Sequence, residues 1–238
     1  VLKDTFSVFK NSISKYDAVV GVYDLEPINK TISAWYKATF YFFLYEKKII
    51  KYDQFSASCS GIKKKCFVKV GGYNRFFKRG LDFENEELGH RISKNFNMVL
   101  NRNMRVKHFF PGILKMAFLF FKRTQYWMEM FLVRKKFSKT ANSSNTAFAL
   151  IYSPIMFFLL TLFVIFEKNI FLIILILIFI LHIISFKFFF IYHFKKNILN
   201  CIIMFLTCNF FNLFIIGGSL IGFFKYYLNL SKIKRKFK

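Results

Sequence analysis

The chain has 238 residues, 55% of them hydrophobic and 21% aromatic, with 37 Lys and Arg against 12 Asp and Glu for a formal net charge of +25. Four cysteines over this length, without CxxC or Cys/His ligand spacing, point to reduced structural thiols rather than disulfide or zinc use. The charge does not mark a nucleic-acid binder: basic and aromatic residues concentrate beside long apolar stretches, so membrane lipids are the expected partner and no nucleic acid is.

In chain order, Val1-Leu2-Lys3-Asp4 opens into polar, helix-like sequence with no signal peptide and no initiator Met, so the expectation is that the true N-terminus is missing. Asp17 to Tyr23 is a short apolar run closed by the turn residues Asp24-Leu25-Glu26-Pro27, which predicts a buried strand. Thr31 to Glu46 carries Trp35, Tyr36, Phe40, Phe43 and Leu44 at helical spacings and reads as a core-facing helix. A small-residue segment, Phe55-Ser56-Ala57-Ser58-Cys59-Ser60-Gly61, precedes a basic helical turn, Lys63-Lys64-Lys65-Cys66-Phe67. The Gly71-Gly72 pair then suits a turn with positive φ.

Asp82, Glu84, Glu86 and Glu87 put four of the twelve carboxylates into six residues, opening a helix expected to run to about Asn95. Such a cluster repels itself unless it complements a helix N-terminus, binds a cation or serves proton chemistry. Glu87 and Arg91, spaced i, i+4, read as an ordinary surface pair. Met98-Val99-Leu100 and Met104 to His108 alternate like two short strands, and Gly112 to Phe137 reads as a basic, aromatic interfacial helix.

Beyond about Ser144 the chain changes character. Ala147 to Phe166, Ile170 to about Phe186, and Cys201 to Phe224 approach or exceed the roughly 17–25 residues that span a bilayer. The expectation is a part at 1–144 and a transmembrane region at 145–238 with two or three spans and a basic tail. Lys122, Arg123, Arg134, Lys135, Lys136 and Lys139 lie before the first span, which puts the N-terminal part on the cytoplasmic side of a multi-pass cell-membrane protein. A third full span places the basic tail outside, so either the tail is an exception or the segment broken by Gly217-Gly218 is re-entrant or interfacial. His182 is the one ionisable residue inside the first two spans, which disfavours a transporter or channel.

The order of parts, a small-residue segment, a basic turn, Val70-Gly71-Gly72-Tyr73-Asn74, an acidic dipeptide, Glu87-Leu88-Gly89-His90-Arg91-Ile92 and then Val106-Lys107-His108, resembles the C-terminal half of the family 2 glycosyltransferases. The similarity runs from about Asp17 to Phe137. It implies an α/β fold, a partial GT-A-like (Rossmann-like) domain followed by transmembrane helices, and a hexosyltransferase-type inverting enzyme of cell-envelope glycan synthesis. In that family a helix-opening Glu-Asp pair supplies the catalytic base. Here Glu84-Asn85 stands in its place, and an amide accepts no proton. Glu84 or Glu86 serves after a small shift, Asp82 reaches in, or the copy has lost activity; helix capping is the plainer role for these acids.

By the same resemblance, Arg123, Tyr126 and Trp127 form a relaxed version of the family's Gln-x-x-Arg-Trp motif and contact the acceptor or the diphosphate. The competing reading places them at headgroup level on an interfacial helix. His108 matches a family His that contacts donor phosphate or metal; a structural hydrogen-bonding role is the alternative. The family's donor-binding half, with the Asp-x-Asp that ligates Mg or Mn, has no counterpart before Asp17, so the metal is expected but its ligands are not in this chain. The expected function is the acceptor-side half and membrane anchor of a glycosyltransferase. Its partners are a nucleotide-sugar donor, a lipid-linked or glycan acceptor and a separate donor-binding chain. The alternative is a catalytically silent membrane scaffold, truncated or degenerate.

Overall fold

The structure is a computed structural model that describes residues 2–45, 47–77, 83–137 and 144–231, leaving aside the side chains of 144 and 145. The chain divides into two compact units, Val1–Gly112 and Ile113–Phe137 with Asn142–Lys238.

The first unit is mixed α/β: α1 (Thr5–Lys15), β1 (Ala18–Tyr23), α2 (Ile32–Phe43), β2 (Ile49–Lys51), β3 (Ser60–Ile62), α3 (Lys64–Lys69), α4 (Glu84–Asn95) and β4 (Met98–Val106). The strands form one sheet in the order β2-β4-β1-β3. β1 runs parallel to β4, whereas β3 and β2 are antiparallel to their neighbours. Alternation along β1 feeds two cores. Ala18, Val20 and Val22 pack with Leu88 and Ile92 of α4, and Val19 packs with Cys59, Val99 and Val106 beside Val8, Phe9 and Ile13 of α1. Both faces of this sheet are therefore covered, as its near-continuous apolar central strand requires.

The structure joins Met98–Leu100 and Met104–Val106 into one strand where two were expected. The register passes from Val20↔Leu100 to Val22↔Arg105, so β4 bulges where Asn101 and Asn103 sit. The Asn101 side chain holds the bulge by accepting from the Asn103 N–H at 3.0 Å and donating to Ser12 Oγ at 2.9 Å. Gly21 lies opposite, where a Cβ would collide with the Met104 carbonyl and the Cys59 sulfur. Polar residues in the bulge interrupt the alternation, which is why it reads as a break.

The second unit is helical: α5 (Ile113–Arg134), α6 (Ser144–Phe166), α7 (Asn169–Ser185), α8 (Lys187–Lys196) and α9 (Ile198–Tyr227). Among the described residues two stretches, Thr146–Phe166 and Ile198–Tyr227, are long and apolar enough to cross a membrane, and α7 with α8 makes a third only if their 88° bend belongs to one span. Gly217-Gly218 does not interrupt the last apolar segment, because α9 runs through both glycines. Their neighbourhood shows why: a Cβ on Gly218 would strike the backbone of Phe121, and one on Gly222 would approach Gln125 Cα at 2.9 Å. This small-xxx-small notch lets α5 lie directly on α9, the device by which helices pack closely in lipid. Lys225 donates to Gln125 at 2.7 Å along the same seam, and Asn212 donates to Ser153 Oγ at 2.8 Å between α9 and α6.

Candidate active site

The parallel pair β1 and β4 defines a carboxyl edge, the usual place for ligands on such sheets. α4 reaches β4 through Phe96 and Asn97 while packing Leu88 and Ile92 on the sheet, so it runs back along β4 and its first turn lies toward that edge. Three acids in its first turn complement the helix dipole. They do not cap it in the strict sense, since Phe83 is the N-cap and makes no side-chain hydrogen bond.

Each acid has a distinct setting. Glu87 is only 5% exposed and takes both forks of Arg91 at 2.7 Å, so the pair is not the surface bridge that its spacing suggests. Arg91 also donates to the carbonyls of Val70 and Gly72, the latter at 2.7 Å. Those carbonyls flank a turn in which Gly71 and Gly72 have φ of 79° and 64°, as the double glycine predicts. The guanidinium thereby fixes the turn that delivers Tyr73. Tyr73 donates its hydroxyl proton to Asn85 Oδ1 at 3.1 Å, and Asn85 Nδ2 donates to Glu84 Oε1 at 3.2 Å. Glu84 and Glu86 are both buried. Asp82 lies outside the described residues.

A second row flanks α4. Gly89 allows the 52–55 segment to lie against the helix, since a Cβ there would meet Gln54 Cα at 2.8 Å. Asp53 then stands with Oδ2 3.7 Å from His90 Nδ1, both side chains largely buried.

His108, just past β4, packs between Tyr23 and Phe110 with ring centroids 5.1 and 4.8 Å away, while its carbonyl accepts from the Ile28 N–H at 3.1 Å. Tyr23, the last residue of β1, accepts a hydrogen bond from Ser58 at 3.3 Å, and Ser58 pairs with Ser56 at 2.9 Å. The small-residue segment thus meets His108 through Tyr23. The two loops here are zipped together: Asn29 both donates to and accepts from the Phe110 backbone at 2.9 Å, and Arg105 pairs with Asp24 at 3.2 Å.

Glu84, Asn85, Glu86 and His108 therefore lie in the first unit, whereas Arg123, Tyr126 and Trp127 lie on α5 in the second, with Arg123 exposed and the two rings half-buried. Sequence reasoning missed Tyr23, the hydroxyl of Tyr73 and the Asp53–His90 pair. Tyr23 carried a signal, its position at the end of the central strand; Asp53 carried none. Among the described residues no group of three or more His, Cys, Asp or Glu is arranged to hold a metal ion. The divalent metal implied by the resemblance has no ligand set there, and no step below is routed through it. No protein-family model, curated protein or solved structure matches the chain.

Proposed function

We propose that this chain is the acceptor-side half and membrane anchor of an inverting glycosyltransferase with a partial GT-A-like fold. It would transfer a sugar from a nucleotide-activated donor to a lipid-linked or membrane-proximal glycan acceptor. The observation that carries the reading is the Tyr73–Asn85–Glu84 row at the start of α4, fixed from behind by Glu87 and Arg91. Glu84 adjoins the position where the resemblance places the base and is the proposed base, with Glu86 as its alternative. Glu84 removes the acceptor hydroxyl proton as that oxygen attacks the anomeric carbon and the nucleoside diphosphate departs with the bonding pair. Tyr73 and Asn85 orient the carboxylate. Arg123, Tyr126 and Trp127 contribute acceptor or diphosphate contacts, and His108 a donor contact. The anchor is multi-pass in the cell membrane, with the first unit cytoplasmic.

The test is transfer of label from a panel of nucleotide sugars to extractable lipid, in vesicles holding this chain and a donor-binding half. Labelled lipid of inverted anomeric configuration is the expected product; retained configuration would overturn the mechanism.

Asn85 favours a second reading, a catalytically silent scaffold, because an amide stands where the resemblance places the base and both of its polar atoms are engaged. Restoring the acid by Asn85→Asp separates the two. A silent scaffold gives no transfer before the change, whereas an enzyme relying on Glu84 works already.

A further inference from the structure

We propose that the outer face of α3, with the turn that follows, is a docking surface for an anionic bilayer, a second membrane contact made by the first unit. This does not rest on glycosyl transfer. Between Asp53 and Asp82 the sequence holds no carboxylate but seven cations, Lys63, Lys64, Lys65, Lys69, Arg75, Lys78 and Arg79. Cys66 is the buried anchor of α3, and Lys63 turns to Asp17 at 3.5 Å. The opposite face presents Lys64, Lys65, Val68 and Lys69, all exposed. Val68 is 65% exposed beside Lys64 and Lys65, Lys69 reaches over the Phe96 ring at 5.9 Å, and Tyr73 and Phe76 follow at 42% and 43% exposed.

This display is held rigidly. The Lys63 N–H donates to the Asp17 carbonyl at 3.0 Å, and Arg91 grips the carbonyls of Val70 and Gly72. A site for a free phosphate would gather donors around a point. Here the exposed Lys64 and Lys65 share a helix face with an exposed valine, an arrangement that suits lysine stems lying on apolar surface with their ammonium groups among headgroups. The same chain carries helices able to cross a membrane, so a bilayer is a partner at high effective concentration without any further protein.

The experiment is hydrogen exchange by mass spectrometry on the full chain in nanodiscs. Phosphatidylcholine alone is compared with phosphatidylcholine containing phosphatidylglycerol. Peptides covering 64–76 should exchange about three- to tenfold more slowly in the anionic discs. Peptides of α1, which carries Lys10 and Lys15, should not change. Lys64→Glu with Lys65→Glu should abolish the slowing while α4 peptides keep their protection, and Val68→Ser, a single exposed change, should reduce it. Equal exchange in both discs would overturn the proposal. So would equal slowing by inorganic diphosphate in phosphatidylcholine discs, which would make the face a free-anion site.

Discussion

The start of α4 and the seam between α5 and α9 both bring backbones into close contact, but by opposite means. At α4 the approach is polar: Arg91 ties the Gly71-Gly72 turn to Glu87, and every bond has a direction. Along α9 the close approach is steric, through Gly218 and Gly222, and the Lys225–Gln125 bond lies farther along the same seam. Directed bonds among buried charges fix individual side chains, which is what a reaction centre needs. A glycine notch fixes helix separation and leaves the side chains to packing. Substitutions should therefore fail differently in the two regions.

The largest effect is expected at Arg91. Arg91→Ala strands the buried Glu87 carboxylate and frees the carbonyls of Val70 and Gly72, so unfolding of the first unit should become easier by about 3–5 kcal/mol. Glu87→Gln, which keeps an acceptor and removes the charge, should cost about half of that or less. Equal costs in chemical unfolding would show that the carboxylate is not the stranded group.

Next comes the seam. Gly222→Leu forces a side chain into the α5 backbone and should cost about 1–3 kcal/mol, read as a lower thermal unfolding midpoint in detergent. Gly217→Ala is the contrast, since its Cβ would stand 3.4 Å from the Phe121 ring, an ordinary contact. It should be neutral or stabilising by up to about 1 kcal/mol. Identical penalties at both glycines would mean that the notch is not specific.

A smaller effect belongs to Asp17, whose carboxylate accepts from the Asn97 N–H at 3.1 Å and faces Lys63 at 3.5 Å. The Asn97 N–H chiefly, then Lys63, hold its pKa below the ordinary 3.8 against opposing desolvation. A depressed folded pKa means that the stabilisation is complete above 3.8 and is lost as pH falls through the folded value. Solvent screens a carboxylate so near the surface, so Asp17→Asn should cost no more than about 0.5 kcal/mol near pH 7 and progressively less in acid, seen as converging unfolding curves. The smallest effect on the fold is at Cys59, where burial pushes the thiol up to about 11. Alkylation at pH 8 should run at least about 100-fold more slowly than at an ordinary thiol, so the folded chain stays essentially unmodified over the assay.

Much of this was legible beforehand where the signal is local. The apolar run of β1, the basic turn of α3, the positive φ at Gly71 and Gly72 and the acidic opening of α4 each depend on a few adjacent residues. What escaped depends on partners distant in sequence. Nothing near Glu87 announces that Arg91 reaches back to Val70 and Gly72, so a buried clamp reads as a surface pair. Nothing near Gly217-Gly218 reveals α5, so a packing notch reads as a break. The second apolar stretch was expected to end at about Phe186, and α7 does end there, with Lys187 opening α8; that the chain turns by 88° into another helix at that point depends on packing that no local residue announces. In the site, Glu84, Asn85 and Glu86 could be named from the helix opening, but the Tyr73 hydroxyl that orders them is a tertiary contact.

The most direct test of the central claim is the transfer rate of Glu84→Gln relative to the unaltered chain, each reconstituted with a donor-binding half and its unfolding followed on the same samples. The account predicts a fall of about 10²–10⁴-fold, with stability changed by no more than about 1 kcal/mol. Turnover left nearly intact would contradict it, and would leave the acids at the start of α4 as complements to a helix dipole.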